Sequence, residues 1–520
     1  VTAHYERLSF LDNSFLALET RTTHFHVGSV MIFEAGTLRT PEGGIDVARI
    51  KAHFDSKLHL VPRYRQRLAW VPVEQYPVWV DDEHFNIDYH VRHIALPRPG
   101  TDEQLKRIAG RLMSQQLDRD KPLWEIIIVE GLEGDRFAMI SKIHHAMIDG
   151  VSGVDLMTVL LNMVPTEELE SGPAYEPRTA PNGTELVVRE TTRRITETTA
   201  KILGVRGIVG DAARIGAETV HRVRAMAASL SSGWLVPTGR SPLNGPVGPN
   251  RRFDWLDVPL DEIKAIKNAF GGTVNDAILA IVAGGVRHFF LEYRSMTPDE
   301  LEDLDFRVMA PVSVRAEGQA GTMGNQVAMW LVSMPVGEPD PGRRFEIVAE
   351  ETTRLKETDQ ALGAASLVRL SAGAPATLVA LGARLATNAR PFNMTVTNVP
   401  GPQFPLYMLT SRLDVTYPLV PLWESHGVGI ALFSYLGAVS WGLNADYDVV
   451  EDVSDLAASL QFATAELLAA AVAHVAEFEA NKKNEKTASR RSKSPTEKAS
   501  GNGGSKTRKR AKKRPPMGTR

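Results

Sequence analysis

The stretch Ser141-Lys-Ile-His-His-Ala-Met-Ile-Asp-Gly150 carries the groups best suited to reaction chemistry in this chain. An imidazole beside a substrate channel can take a proton near neutral pH without a large shift of its pKa. In an extended segment neighbouring side chains point to opposite faces, so His144 and His145 cannot both address one substrate. His145 is the candidate general base and His144 its support. Asp149 followed by Gly150 suits a sharp turn, in which glycine accepts unusual backbone angles and the carboxylate bonds nearby N–H groups or an arginine. A second reading fits the same residues, a satisfied buried histidine pair closing a strand. A zinc site lacks its third and fourth ligands, because HxxxD supplies two and the chain has no cysteine.

These residues need elements to hold them. The β-prone runs Ile126 to Glu130 and Phe137 to Ile143 flank turn residues Gly131 to Asp135 and predict a hairpin ending at the histidines. Ser152 to Val164 has helical spacing, so the motif sits at a strand-to-helix junction where a substrate has access. Upstream, residues 8–20 predict a short helix, His26 to Phe33 a strand and Ile45 to Leu60 a helix stopped by Pro62. Asp102 to Leu117 is amphipathic. Pro122-Leu-Trp-Glu125 leads into the first strand of the hairpin. Arg63, Arg65 and Arg67 form a basic cluster whose plain reading is a solvated face.

Beyond the motif, Pro165 to Asn182 reads as an exposed linker. Residues 185–230 mix arginines with apolar residues in helical segments, either a helix on an anionic membrane surface or a crossover between domains. After a Pro/Gly-rich connection come a strand at Phe253 to Val258 and helices at Leu260 to Phe270 and from Gly271-Gly-Thr-Val-Asn-Asp276 to about Tyr293. Thr273 or Asn275 caps the latter, leaving backbone N–H groups for an anion or developing oxyanion; alternatively Asn275-Asp276 is only a cap. Strands follow at Phe306 to Val314, Gly324 to Ser333, Asn393 to Asn398 and Asp414 to Tyr417. Helices are expected at Arg343 to Leu362, Pro375 to Ala386 and Val453 to Glu479. The uncharged run between Glu424 and Asp446 is long enough to cross a membrane, but its glycines read better as two buried strands around a turn.

At 520 residues with 43% hydrophobic and 23% charged residues, the chain predicts two globular domains with extras. The net charge of −3 hides an asymmetry: residues 481–520 carry 15 Lys/Arg against Glu485 and Glu497, a balance of +13 that leaves −16 on the rest. That tail reads as disordered and polybasic. Without interleaved aromatic residues it is not expected to bind nucleic acid. Zero cysteines exclude a thiol nucleophile and fit a reducing compartment, and the N-terminal residues show no secretory pattern, so the expectation is cytoplasmic.

His144 to Gly150 resembles the HHxxxDG signature of the CoA-dependent acyltransferase superfamily, which includes chloramphenicol acetyltransferase, plant HxxxD acyltransferases and peptide-synthetase condensation domains. Further blocks narrow the resemblance: Leu8-Ser-Phe-Leu-Asp-Asn-Ser-Phe15, Leu18-Glu-Thr20, His26-Val-Gly28, Pro122-Leu-Trp-Glu125, Asn275-Asp276 with Ala277-Ile-Leu-Ala280, and Thr397-Asn-Val-Pro-Gly-Pro402. In this order they are similar to the bacterial wax ester synthase/diacylglycerol acyltransferase family. The plant enzymes' DFGWG block has only a faint echo in Ser440-Trp-Gly442.

The resemblance implies an α/β fold of two chloramphenicol-acetyltransferase-like domains with mixed sheets flanking a central tunnel. The expected divisions are 1–165, a linker with crossover helices at 166–250, 251–480, and the tail 481–520. It implies transfer of a fatty acyl group from acyl-CoA, a substrate rather than a cofactor, to diacylglycerol or a long-chain alcohol, with no resident cofactor or metal. His145 is the implied base, His144 a support, Asp149 and Gly150 structural, and Pro122, Leu123, Trp124, Glu125, Asn275 and Asp276 substrate-binding. Leu123, Trp124 and Met147 would line an acceptor channel, Asn275 is the candidate oxyanion donor, and Arg315 would pair with Asp149. The arginine cluster would meet CoA phosphates or anionic lipid, and peripheral contact with an anionic membrane or lipid droplet is expected. Rival readings are acylation of another hydroxyl or amine, as in condensation domains, and a non-catalytic lipid-droplet protein.

Overall fold

The computed structural model describes residues 4–72, 74–147, 157, 159–193, 196, 236–313, 327–357 and 390–491. It divides into two compact units, Val1–Val472 and Ala473–Arg520. Fifteen strands are described: β1 (Glu6–Arg7), β2 (His26–Glu34), β3 (Gln66–Val71), β4 (Tyr76–Asp81), β5 (Val91–Ala95), β6 (Trp124–Leu132), β7 (Arg136–His144), β8 (Arg251–Pro259), β9 (Arg307–Ser313), β10 (Val327–Ser333), β11 (Met394–Pro400), β12 (Tyr407–Met408), β13 (Ser411–Leu419), β14 (Val428–Tyr435) and β15 (Ala438–Asp446).

All but the three strands of a small sheet, β1-β4-β3, fall into two six-stranded sheets, ordered β12-β13-β2-β7-β6-β5 and β10-β9-β11-β14-β15-β8. Both are mixed: β5 runs parallel to β6, and β11 parallel to β9 and β14, among antiparallel neighbours. The β6–β7 hairpin is antiparallel, as its alternating apolar pattern predicts. The expected membrane-length run is indeed a hairpin, β14 paired with β15 from Val428↔Ala445 to Tyr435↔Ala438. The apolar helix Val274–Tyr293 is long enough to cross a membrane but is mostly buried as the core helix of the second large sheet.

The sequence divisions at 165 and 251 do not separate the sheets. β13, from the C-terminal part of the chain, pairs with β2 from Leu413↔Phe33 to Leu419↔Gly28 and so extends the N-terminal sheet. An exposed β2 edge would leave a row of unpaired backbone groups, and β13 covers it. Residues 165–182 are mostly exposed but pinned to the body at several points, Tyr175 and Arg178 among them. The Tyr175 hydroxyl donates to the Arg65 and Asp82 carbonyls, both at 3.1 Å, and Arg178 bonds Asp81 at 2.8 Å. Of the basic crossover region, 194–235 lies outside the described residues apart from Thr196; helical residues 183–193 bury Leu186 and pair Glu190 with Arg7 and Arg193.

The last helix runs Val453–Arg491, beyond the expected end at Glu479, so residues 481–491 are helical rather than disordered. Lys482 and Lys483, both exposed, are good helix formers and favour its continuation. Leu456, Leu460 and Leu467 are buried as expected, whereas Phe462, Val472, Val475 and Phe478 are exposed. The arginine cluster is absorbed locally: Arg63 pairs with Glu6 at 2.9 Å, Arg65 with Asp55 at 2.7 Å, and Arg67 lies 3.9 Å from Asp82. Those pairs correct its reading as a free phosphate-binding patch.

Candidate active site

β7 ends at His144, and His145–Met147 form one turn of 3-10 helix. Neighbouring strands hold the junction from both sides. The His144 N–H donates to Leu123 O at 2.9 Å, and the His145 N–H to Phe25 O at 2.8 Å. Close packing of β2 on β7 depends on Gly28, where a Cβ would overlap the Ser141 carbonyl. The two imidazoles have different neighbours: the His144 ring meets His26 edge-on, and the His145 ring packs on Phe15.

His144 is buried, and its Nδ1 accepts the Ala146 N–H at 3.1 Å. That nitrogen therefore carries the lone pair, and the ring proton sits on Nε2, 3.7 Å from Glu19 Oε2. His144 is occupied as a brace for the turn. His145 is only partly buried and packs against Phe15, with ring centroids 4.1 Å apart. Burial, the largest cause, pushes its pKa down to about 4, so the imidazole is neutral at neutral pH and carries a free lone pair.

Glu19 gathers the polar groups behind the pair. It follows the helix Phe10–Leu18, whose end it caps through its own N–H to Phe15 O at 3.1 Å. Its carboxylate, 1% exposed, lies 3.4 Å from His26 Nε2 and accepts from Arg119 Nη2 at 2.6 Å and Nε at 3.2 Å. Burial, the largest influence, opposes its ionisation, yet the two histidines and the Arg119 guanidinium around it hold the carboxyl far below the usual range. Burial pushes His26 down to about 3, against the pull of Glu19. His26 stands opposite His144 in the β2–β7 register and stacks on His24, ring centroids 5.3 Å apart. Glu19 Oε1, both His26 ring nitrogens and His144 Nε2 have no hydrogen-bond partner of good geometry among the described residues.

The Pro122–Glu125 block supports this site from the core. Trp124 is 1% exposed, donates its indole N–H to Tyr64 O at 2.8 Å and stacks on His90 with centroids 4.5 Å apart. Leu123 is fully buried, and its carbonyl holds the His144 N–H. Glu125 pairs with Arg92 at 2.8 Å and with buried Lys142 at 3.4 Å; Lys142 also bonds the Leu112 and Gln115 carbonyls at the C-terminal end of the helix Asp102–Met113. Leu123, Trp124 and Met147, expected to line an acceptor channel, are buried together in one hydrophobic cluster. Asp149, Gly150 and Arg315 lie outside the described residues.

Asn275 and Asp276 belong to a different place. Thr273 caps the helix Val274–Tyr293, and Asp276 closes the capping box. Asp276 accepts from Thr273 N and Oγ1, both at 2.7 Å, and from Thr352 Oγ1 at 2.6 Å; Asn275 accepts from Asn398 at 2.9 Å. They border a cavity of about 300 Å³ floored by Ala310, Trp330 and Val396 and opening at exposed Lys356. On the other face of the second sheet, Phe25, whose carbonyl accepts the His145 N–H, meets Trp423 edge-on at 5.1 Å, and Trp423 packs with Met309 and Leu331. Side chains alternate across a strand, so Ala310 and Trp330 point away from that face. The Asn275 side-chain carbonyl oxygen is engaged by the Asn398 amide beside this cavity.

The sequence matches the profile of the wax ester synthase/diacylglycerol acyltransferase catalytic domain over residues 8–278, and that of the family's C-terminal domain over residues 323–467. The chain belongs to the wax ester synthase/diacylglycerol acyltransferase family. It is therefore an acyltransferase, as the sequence resemblance implies. A "probable diacylglycerol O-acyltransferase" of Mycobacterium tuberculosis is 31% identical over 466 residues, covering 89% of this chain and 96% of that one. The solved wax ester synthase/diacylglycerol acyltransferase of Marinobacter aquaeolei superposes with a TM-score of 0.63 at 25% identity, covering 89% of this chain and 99% of that one. The first condensation domain of the calcium-dependent antibiotic synthetase shares the fold, with a TM-score of 0.57 at 16% identity over 91% of this chain and 97% of its own.

Within the family assignment, Glu19, His26 and Arg119 are the residues that chemical reasoning from sequence overlooked. Two of them stood inside recognisable blocks, Leu18-Glu-Thr20 and His26-Val-Gly28. Arg119 had no sequence signal.

Proposed function

We propose that the protein esterifies diacylglycerol, and long-chain alcohols, with a fatty acyl group from acyl-CoA, using His145 as general base. The observation that carries this reading is the neutral, partly exposed His145 ring on a turn braced by an otherwise engaged His144. His145 removes the acceptor's hydroxyl proton as that oxygen attacks the thioester carbonyl carbon. A C–O bond forms, the tetrahedral intermediate collapses with loss of the C–S bond, and the imidazolium returns its proton to the CoA thiolate. No acyl-enzyme is required. Asp149, with Gly150 and Arg315, holds the loop geometry and relays no proton. The substrates meet in a tunnel between the two sheets, beside the Phe25–Trp423 contact that joins the halves at the histidine pair.

Contact with anionic lipid surfaces from the cytoplasmic side completes the reading. It is supported in the second unit by exposed Val475 and Phe478 beside exposed Lys482 and Lys483, and by the basic run Lys506 to Arg514. Purified protein given labelled palmitoyl-CoA with diolein and hexadecanol in competition tests the chemistry. Triacylglycerol and wax ester are the expected products, and labelled palmitoyl-CoA recovered intact, or as free palmitate only, contradicts the assignment. Removal of 481–520 is expected to weaken binding to anionic but not neutral liposomes, with activity on detergent-dispersed substrate retained; unchanged liposome binding refutes the lipid-surface role.

A further inference from the structure

We propose that Glu19, clamped by Arg119, is a positioning residue for acyl transfer: it fixes the His144 tautomer, and through His144 the turn that presents His145. The inference rests on the reading of His145 as the base.

The chain of contacts is short and directional. Arg119 grips Glu19 Oε2 through two guanidinium nitrogens, at 2.6 and 3.2 Å, and donates to Leu16 O at 3.0 Å, which ties the carboxylate to the end of the Phe10–Leu18 helix. That same Oε2 faces the His144 Nε2–H at 3.7 Å. At the far side of the ring, Nδ1 holds the Ala146 N–H at 3.1 Å, inside the turn His145–Met147. The same helix supplies Phe15 to the face of His145. One helix end therefore fixes both histidines, one by packing and the other by charge.

The physical case concerns the alternative tautomer. A neutral imidazole carries its proton on either nitrogen. With the proton on Nδ1, the ring would meet the Ala146 N–H donor to donor, and the brace of the turn would be lost. The carboxylate opposite Nε2 favours the productive form, because a proton there faces negative charge in a site shielded from water. His26 does not take over this role: its ring is held neutral, and its own Nε2 addresses the other oxygen, Oε1, at 3.4 Å. Arg119 reaches the same oxygen as His144 and so holds it in place.

Glu19→Gln keeps the shape and removes the charge; His144→Asn keeps an acceptor near Nδ1 and removes the Nε2–H. Steady-state kinetics on wild type, both single variants and the double variant test the coupling. Glu19→Gln is expected to lower kcat on the order of tenfold, through loss of the negative charge that faces His144 Nε2 at 3.7 Å, with KM for palmitoyl-CoA unchanged. In the His144→Asn background it should change kcat by less than about threefold, because the path through His144 is already cut. Long-range imidazole nitrogen–proton NMR should show His144 with its proton on Nε2 in wild type and a mixture in Glu19→Gln. Losses that multiply in the double variant, or wild-type kcat in Glu19→Gln, overturn the proposal. If Glu19→Gln does not fold, Arg119→Gln decides, with a smaller kcat loss expected at constant KM and wild-type kcat as the refuting result. His145→Ala separates the two readings: full activity there removes the base assignment, whereas an inactive His145→Ala beside a fully active Glu19→Gln removes only the present inference.

Discussion

Two buried carboxylates, Glu19 and Asp276, sit at the ends of helices in the two halves of this molecule, and they are treated in opposite ways. Asp276 is saturated: its oxygens take bonds of 2.6 to 2.7 Å from Thr273 and Thr352, and the result is a closed helix cap. Glu19 is gripped on one oxygen by Arg119 but meets its two histidines only at 3.4 and 3.7 Å. Buried polar groups are normally satisfied, so such loose contacts mark a place kept for something other than stability. The sequence blocks Leu18-Glu-Thr20 and Asn275-Asp276 look equally chemical; only the contacts tell the reacting end from the structural one.

The contrast can be broken by mutation. Trp124→Ala, in the support beneath the histidines, is expected to cost about 3–5 kcal/mol of folding stability, the usual penalty for emptying a large buried aromatic site, as read from denaturant unfolding. A stable variant with altered acceptor preference would instead return Trp124 to the substrate channel. Asp276→Ala should cost about 1–3 kcal/mol by leaving the Thr273 and Thr352 donors unpaired, while kcat stays near wild type. A large kcat loss at unchanged stability would erase the distinction between the two carboxylates.

Acid supplies a gentler test. Burial, the largest influence on each, pushes His26 down to about 3 and His145 and His426 each to about 4. The unfolded chain protonates these rings near their ordinary value of about 6.5, whereas the folded chain resists until far lower pH. Between those limits the unfolded state binds more protons, so stability falls as pH falls from about 6.5 towards 4. Glu19, depressed when folded, adds loss in the same direction below the ordinary carboxylate range. Tm should drop steadily between pH 7 and 5; a Tm that holds or rises across that interval contradicts the burial of neutral imidazoles.

The hairpin bearing the histidines was legible because Ile126 to Val129 and Phe137 to Ile140 carry apolar β-prone residues up to a marked turn. The separate surroundings of the two histidines were not set by strand alternation, because the strand ends at His144 and His145 begins a 3-10 turn. The pairing of β13 with β2 was not legible, since it joins residues nearly four hundred positions apart and no local pattern encodes such a partner. Nor was Arg119: on the sequence it is one arginine among many, and only the fold carries it to Glu19. The backbone role of Pro122–Glu125 was not legible either: the Leu123 carbonyl holds the His144 N–H, a contact no side-chain motif announces.

The most direct measurement is the rate of acyl transfer by His145→Ala beside wild type, with palmitoyl-CoA and diolein, on protein shown by thermal melting to be folded. A loss of kcat on the order of 10³-fold, within the range for removal of a positioned general base, at little changed Tm is the predicted result. A folded His145→Ala protein that turns over at close to the wild-type rate would contradict the account.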